Sequence, residues 1–306
     1  MKRVLVTGAT GNIGSRLIPR LASRPDIAVR ALVRSLDKAA PLAAAGAEVV
    51  PGCVEASEAV RRAMQKIDTL VLITPAGSSA ADQAGAALAA AREAGVRKIV
   101  RVSIFNAARG GPADVIGQHG STDAEIRASG LTYTILRPPF FMQNLCFLAA
   151  RSIVKEGRIY SGTGDGRLSM IDLRDVVDCA EESVMSESAD NKTFTLTGPE
   201  SINFHEITER LSGIMGRAIE YVPVFPEWVE QSIRAMGRGS WYGRVMGDLC
   251  RAYSEDWGDV ITGDVALITG HRPRSFDVFA GEVLLPALSW DPPSLLRADS
   301  RPGWAA

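Results

Sequence analysis

The sequence predicts an α/β protein built on a doubly wound parallel sheet. Two observations carry this. Over the first 137 residues, short and continuously apolar runs alternate about six times with longer segments of helical periodicity. A glycine-rich turn, Gly8 to Gly14, stands directly between the first run and the first periodic segment. Val4-Leu5-Val6 is apolar at every position, as a strand buried on both faces must be. Further runs lie at Val29 to Val33, Ala47 to Val50, Leu70 to Ile73, Ile99 to Val102 and Tyr133 to Leu136. Between them, Ile13, Leu17 and Leu21, and then Ala81, Ala84, Leu88 and Ala91, recur at helical spacing. Strand, helix, strand in succession demands right-handed crossovers, and ligands then gather beyond the carboxyl ends of the strands.

Pro138 and Pro139 stop the sixth run, because neither has an amide hydrogen to give a ladder. Beyond them the rhythm changes. Leu168 to Ile171, Thr193 to Thr197 and Ile219 to Val224 read as short strands. Leu173 to Met185, Phe204 to Met215, Pro226 to Met236 and Trp241 to Tyr253 read as helices. The organisation is a sheet domain over 1–150, then a smaller α+β portion over 151–290 interleaved with the sheet edge. A flexible tail follows over 291–306, with three prolines and no periodicity.

Composition narrows the function classes. With 34 basic and 35 acidic residues the net charge is -1, which lacks the basic excess of a nucleic-acid binder. No apolar run reaches the roughly 18 residues of a membrane span, and no signal peptide precedes Val4. The four cysteines form no C-x-x-C and no zinc-ligand spacing, so they read as free thiols of a cytoplasmic protein. Three isolated histidines offer no metal site.

Gly8-Ala9-Thr10-Gly11-Asn12-Ile13-Gly14 has the spacing G-x-x-G-x-x-G. Gly8 permits a tight turn, Gly11 lets the backbone approach a pyrophosphate, and Gly14 lets helix and strand pack closely. The helix that follows offers free N–H groups and a positive dipole end. This is the Rossmann-type dinucleotide-binding arrangement. After the second strand come Val33-Arg34-Ser35 and then Lys38, where a carboxylate would instead hold a ribose hydroxyl. Two cations and a hydroxyl suit the 2′-phosphate of NADP, at about 1.5–3 kcal/mol per charge-assisted bond. NADPH is therefore expected over NADH.

Phe140, Phe141, Met142 and Asn144 follow the sixth strand, where a cleft would open, and can form an apolar wall with one polar group or plain core. Trp228, Trp241, Tyr242 and Met246 can form a lid over a flat substrate or the core of the smaller portion. His119 is the candidate proton donor, since an unperturbed imidazole titrates near about pH 6.5; the competing reading is a helix-start residue bonded to backbone.

The motifs V-T-G-A-T-G-N-I-G, L-V-R after the second strand, L-I-T-P at Leu72 to Pro75 and S-G-L-T-Y-T-I-L-R-P at Ser129 to Pro138 resemble the NmrA-like, atypical short-chain dehydrogenases/reductases. The nearest subgroup is that of triphenylmethane reductases and NAD(P)H:quinone oxidoreductases. Ile171 to Val176, Thr195 to Pro199 and Leu267 to Phe276 continue the resemblance over nearly the whole chain. It implies a pyrophosphate cradle from Thr7 to Ile13, with Thr10, Asn12 and Ile13 nearest. It places Arg34 at the 2′-phosphate, and Ile73, Thr74 and Pro75 beside the nicotinamide ribose. Ser103 falls near the nicotinamide, with Pro139, Phe140 and Phe141 toward carboxamide and substrate. His119 to Asp123 matches the family's H-x-x-T-E, with Asp in place of Glu.

One expected motif is missing. Four residues after the five tyrosines stand Arg137, Gly164, Phe225, Met246 and Trp257, so no Tyr-x-x-x-Lys acid occurs. A simple ketone needs a positioned acid, whereas a quinone or extended conjugated acceptor spreads the incoming charge. The expected function is NADPH-dependent reduction of a small conjugated aromatic or quinonoid substrate. The alternatives are a non-catalytic redox sensor that binds a protein partner, and a tailoring reductase or coupling enzyme of aromatic natural products. Homo-oligomerisation is left open.

Overall fold

Strand β1 (Lys2–Val6) leads to α1 (Gly14–Ala22), β2 (Ile27–Val33), α2 (Ala40–Ala44), β3 (Glu48–Pro51), α3 (Ser57–Met64), β4 (Thr69–Leu72), α4 (Ala80–Glu93), β5 (Lys98–Val102), α5 (Asp114–Ala128) and β6 (Thr132–Arg137). The structure is a computed structural model that describes residues 1–54 and 57–289. After β6 come α6 (Asn144–Leu148), α7 (Ala150–Glu156), β7 (Arg158–Ser161), α8 (Leu173–Met185), β8 (Lys192–Thr195), α9 (Phe204–Met215), β9 (Glu220–Pro223), α10 (Pro226–Ala235), α11 (Ser240–Ser254) and α12 (Asp264–Thr269). Seven strands form one parallel sheet in the order β3-β2-β1-β4-β5-β6-β8. This is the Rossmann-type α/β fold that the alternating runs predict. The order reverses between β1 and β4, and a crevice opens there at the carboxyl ends.

Strand periodicity explains the two covers. Val4 and Val6 share one core with Leu17, Ile18 and Leu21 of α1 and Val176 and Val177 of α8. Leu5 points the other way, into a core with Val60 of α3, Leu88 of α4 and Ile126 of α5. Both faces are buried, so both parities are apolar.

A separate core lies beside the sheet, in which Met142, from before residue 150, meets Ile153, Ile159, Phe204, Leu211, Phe276 and Phe279. β7 and β9 pair there as a two-stranded parallel sheet. The chain does not stay in it: α8 returns to cover the large sheet, and β8 extends that sheet beside β6. Leu168 to Ile171 departs from the expected strand. Its backbone bridges Ile202, Gly258 and Phe141 one position at a time, so no continuous ladder forms. The expectation of a flexible tail over 291–306 lies outside the described residues.

Buried Asp172 joins the two portions. Its carboxylate caps α8 by accepting from the Arg174 amide at 2.8 Å, accepts from Gln143 Nε2 at 2.8 Å, and pairs with the Arg174 guanidinium at 2.7 Å. Gln143 Oε1 in turn accepts from the Leu173 amide at 2.9 Å. This fixes the segment after β6, which carries Phe140, Phe141 and Asn144. Asp175 accepts from the Arg274 amide at 2.8 Å and pairs with its guanidinium, which ties the Ile171 to Val176 motif to the Leu267 to Phe276 motif. No helix among the described residues is long and apolar enough to cross a membrane.

Candidate functional site

The glycine-rich turn is shaped by contacts that allow no side chain at two positions. Gly8 has φ +58°, and a Cβ there would stand 3.0 Å from the Ile73 carbonyl oxygen. A Cβ on Gly14 would meet the Gly8 carbonyl oxygen at 2.4 Å, so α1 can start this close to the turn only with glycine. The Gly11 amide closes the turn onto the Gly8 oxygen at 3.0 Å. No side chain caps α1. The amides of Thr10, Asn12 and Ile13 donate to no described residue, which leaves unpaired donors and a positive dipole end at the turn.

From this turn a cavity of about 680 Å³ runs across the switch point to the aromatic face of α10 and α11. Its near end is lined by Gly8 to Ile13, Arg34 and Gly52 to Val54. Ile73, Thr74, Pro75, Ser103 and His119 line the middle. Pro139, Phe140, Phe141 and Asn144 line the far end, facing Trp228, Met236, Tyr242, Met246 and Tyr253. Arg34 has no hydrogen-bond or ion-pair partner among the described residues. The donor set and the glycine contacts fit a dinucleotide: free amides for the pyrophosphate, an unpaired guanidinium farther along, and no bulk at the turn.

Five expected residues are not brought to the cavity. Thr7 is fully buried; its hydroxyl donates to the Ile73 oxygen at 2.9 Å and accepts from the Ile73 amide at 2.9 Å, pinning the end of β1 to the segment after β4. Gly14 packs behind the turn. Ser35 is exposed and its hydroxyl lies 3.4 Å from Asp37. Lys38 is exposed on a 3₁₀ turn and does not line the cavity. Trp241 sits one residue before Tyr242, about 100° round the helix; its indole N–H donates to Asp114 at 2.6 Å and packs beside Val115 and Ile116.

Three residues of the site were not singled out from sequence. Tyr253 is buried and lines the far end, with its ring edge-on to Phe140 at 6.5 Å. Burial raises its phenol well above the ordinary value. Tyr160 stacks on Trp228 at 5.5 Å, at the same end. Tyr253 falls at a helical position whose neighbours carry the signal: Tyr242, Met246, Leu249 and Tyr253 repeat at helical spacing on one face of α11. Tyr160 lies on β7, a strand that the sequence pattern does not announce. The third is Arg101, 1% exposed in the middle of β5. A cation inside Ile99-Val100-Arg101-Val102 is the signal that could have found it.

The polar floor is built around that arginine. Arg101 Nη1 donates to the Thr74 hydroxyl at 3.0 Å, and Nη2 lies 3.2 Å from His119 Nδ1. Ser103 Oγ lies 3.5 Å from the same nitrogen. Burial first, and then Arg101 and Arg137, hold His119 well below the ordinary imidazole value, so its ring is neutral at neutral pH. The proton-donor expectation rested on an unperturbed ring, and the surroundings remove that premise. Asp123, the residue in place of the family's Glu, is fully buried and paired with Arg137 at 2.8 Å; it does not line the cavity. Burial pushes the Cys146 and Cys250 thiols up to about 11, which keeps them protonated.

A switch-point crevice, a glycine turn with free amides and a second, aromatic compartment together define an NAD(P)H-dependent oxidoreductase. A family model described as NAD(P)H-binding matches residues 8–163, and the chain belongs to that family. It is 30% identical over 277 residues to the NAD(P)H azoreductase of Xenophilus azovorans, covering 90% of this chain and 96% of that one. It is 27% identical over 221 residues to quinone oxidoreductase 2 of Escherichia coli, covering 71% and 76%. The crystal structure of an NADPH-dependent quinone oxidoreductase from Escherichia coli complexed with NADPH superposes with a TM-score of 0.83 at 22% identity, over 92% of this chain and 99% of that one.

Proposed function

We propose that the protein is an NADPH-dependent reductase of conjugated acceptors, of quinone or azo type, that bind in the aromatic compartment beside the cofactor. The observation that carries this is the continuity of the cavity: one space joins the glycine-rich turn to an apolar slot lined by Phe140, Phe141, Trp228, Tyr242 and Tyr253. When bound, NADPH supplies a hydride. The chain's residues do the rest. Amides of Thr10, Asn12 and Ile13 hold the pyrophosphate. Arg34 pairs with the 2′-phosphate, which favours NADPH over NADH. Ile73, Thr74, Pro75 and Ser103 set the height of the ring-binding floor, and Pro139 and Phe140 close its side. Phe141, Asn144, Trp228 and Tyr242 exclude water and stack on the flat acceptor.

With no Tyr-x-x-x-Lys acid in the sequence and a neutral His119, the site has no strong proton donor at its centre. Delocalised acceptors tolerate that, because the incoming charge spreads over many atoms. Residues 1–150 then serve chiefly the cofactor, with Phe141 and Asn144 turned to the acceptor, and 151–290 supply the rest of the acceptor slot. The azoreductase and quinone oxidoreductase relatives support this acceptor class. The test is loss of reduced-nicotinamide absorbance with a panel of quinones and azo dyes. Turnover dependent on the acceptor is expected. Tight NADPH binding with no turnover on any of them would overturn the reading and favour a sensor.

A further inference from the structure

We infer that Arg101 is a positioning residue that locks His119 in the tautomer bearing its hydrogen on Nε2, so that the cavity floor presents a fixed, neutral N–H to the acceptor's heteroatom. The inference rests on the reading above for the identity of the acceptor. Its core, the tautomer, does not.

Donor inventory fixes the tautomer. A guanidinium has five N–H groups and no lone pair to offer. Arg101 Nη2 lies 3.2 Å from His119 Nδ1, so Nδ1 must be the acceptor and the ring hydrogen must sit on Nε2. Arg101 cannot turn away: Nη1 is held by the Leu72 oxygen at 3.3 Å and the Thr74 hydroxyl at 3.0 Å. Nε2 has no partner among the described residues, and His119 lines the cavity. A proton on Nδ1 would face a cation at contact distance.

The groups packed round the ring agree. From β5 comes Arg101, and from β6 Arg137, a second cation. The segment after β5 gives the neutral Ser103 hydroxyl. From α5 itself comes Asp123, whose carboxylate is taken by Arg137. Among the described residues no carboxylate hydrogen-bonds or ion-pairs with Arg101, the Asp123 charge favours its protonated form from farther off, and its Nε is buried without a partner. Packing alone is a poor account of a buried guanidinium in that state, since an apolar side chain of similar length would fill the strand better. Burial brings Arg101 down to about 10, so it remains charged at neutral pH.

The chemical consequence is specific. An acceptor that has taken up a hydride, and with it two electrons, carries negative charge on its heteroatom. The His119 Nε2–H donates a hydrogen bond to that atom and stays bonded to its own nitrogen. The proton that completes the reduction comes from water. His119 thus stabilises charge and does not act as an acid, and the hydride step should not follow an imidazole titration.

The experiment is ¹⁵N NMR of histidine-labelled protein without ligand, with His205 and His271 variants to assign the three rings. The expected result is a His119 spectrum of the Nε2–H form, unchanged over about pH 5.5–8. An Nδ1–H form, or a titration of that ring near its ordinary value, would overturn the inference. This measurement needs no change at Arg101, so a misfolded variant cannot shelter the proposal. Arg101→Met should add the second tautomer to the spectrum and lower the hydride-transfer rate about tenfold or more. His119→Gln, which keeps an N–H at the Nε2 position, should lose several-fold less than His119→Leu. Equal losses would overturn the role toward the acceptor. Absence of turnover on every acceptor would sink the substrate reading and leave the tautomer measurement to decide for or against the role of Arg101.

Discussion

The two ends of the cavity are made of different material. The near end is chiefly backbone: a turn that Gly8 and, packed behind it, Gly14 keep free of side chains, with unpaired amides and one long side chain, Arg34, beside it. The far end is side chain: aromatic rings from the segment after β6, from β7 and from two helices, α10 and α11, that pack chiefly on each other. A site built of backbone admits little variation, because its ligand contacts are those every residue carries. A site built of side chains can be remade by substitution without disturbing the sheet. The glycine-turn end is therefore the fixed half of this cavity and the aromatic end the adaptable one.

That contrast can be broken from either side. Gly14→Val is the most severe test, since the added atoms fall on the Gly8 carbonyl. It should weaken NADPH and NADH alike by about a hundredfold or more (~2.8 kcal/mol), as read by calorimetry. Arg34→Ala should raise the NADPH KM about tenfold and leave NADH nearly unchanged; equal effects on both would remove the 2′-phosphate assignment. Ser35→Ala, off the cavity, should do neither.

The polar floor between the halves gives a pH signature. His119 binds its proton less readily in the fold than in the unfolded chain, so below an ordinary imidazole pKa the unfolded state carries the extra proton. Stability then falls as pH drops below about 6.5, by up to about 1.4 kcal/mol per pH unit, until the folded ring itself protonates. Urea titrations across that window should show the slope, and His119→Gln should flatten it. The mildest test is at the far end. Trp228→Ala should raise the acceptor KM a few-fold and leave cofactor affinity unchanged, while Trp241→Phe, outside the slot, should change neither.

The same division explains what the sequence disclosed. The strands of the sheet were visible because burial on both faces leaves continuous apolar runs. The turn was visible because glycine is the only residue its contacts admit. Trp241 and Tyr242 were not distinguishable as neighbours in a list; they separate only when the α11 stripe is followed through Met246, Leu249 and Tyr253, which places Trp241 off the face. Ser35 and Lys38 resemble Arg34 as polar groups after β2, yet both are exposed at the 3₁₀ turn that follows it and neither lines the cavity. Arg101 was hidden by its own strand, whose apolar pattern invites the reader past it. The resemblance puts Thr7 in the cradle; its hydroxyl also ties the end of β1 to the segment after β4, which only the distance to Ile73 reveals.

The return of α8 and β8 to the large sheet makes this architecture hard to cut. A fragment ending near residue 150 would lose the cover that Leu173, Val176, Val177 and Val184 give one face, and would expose the β6 edge that β8 now pairs. Remaking the aromatic compartment would mean replacing two separate lengths of chain, one on each side of that return, while keeping Asp172, which anchors the first of them through Gln143.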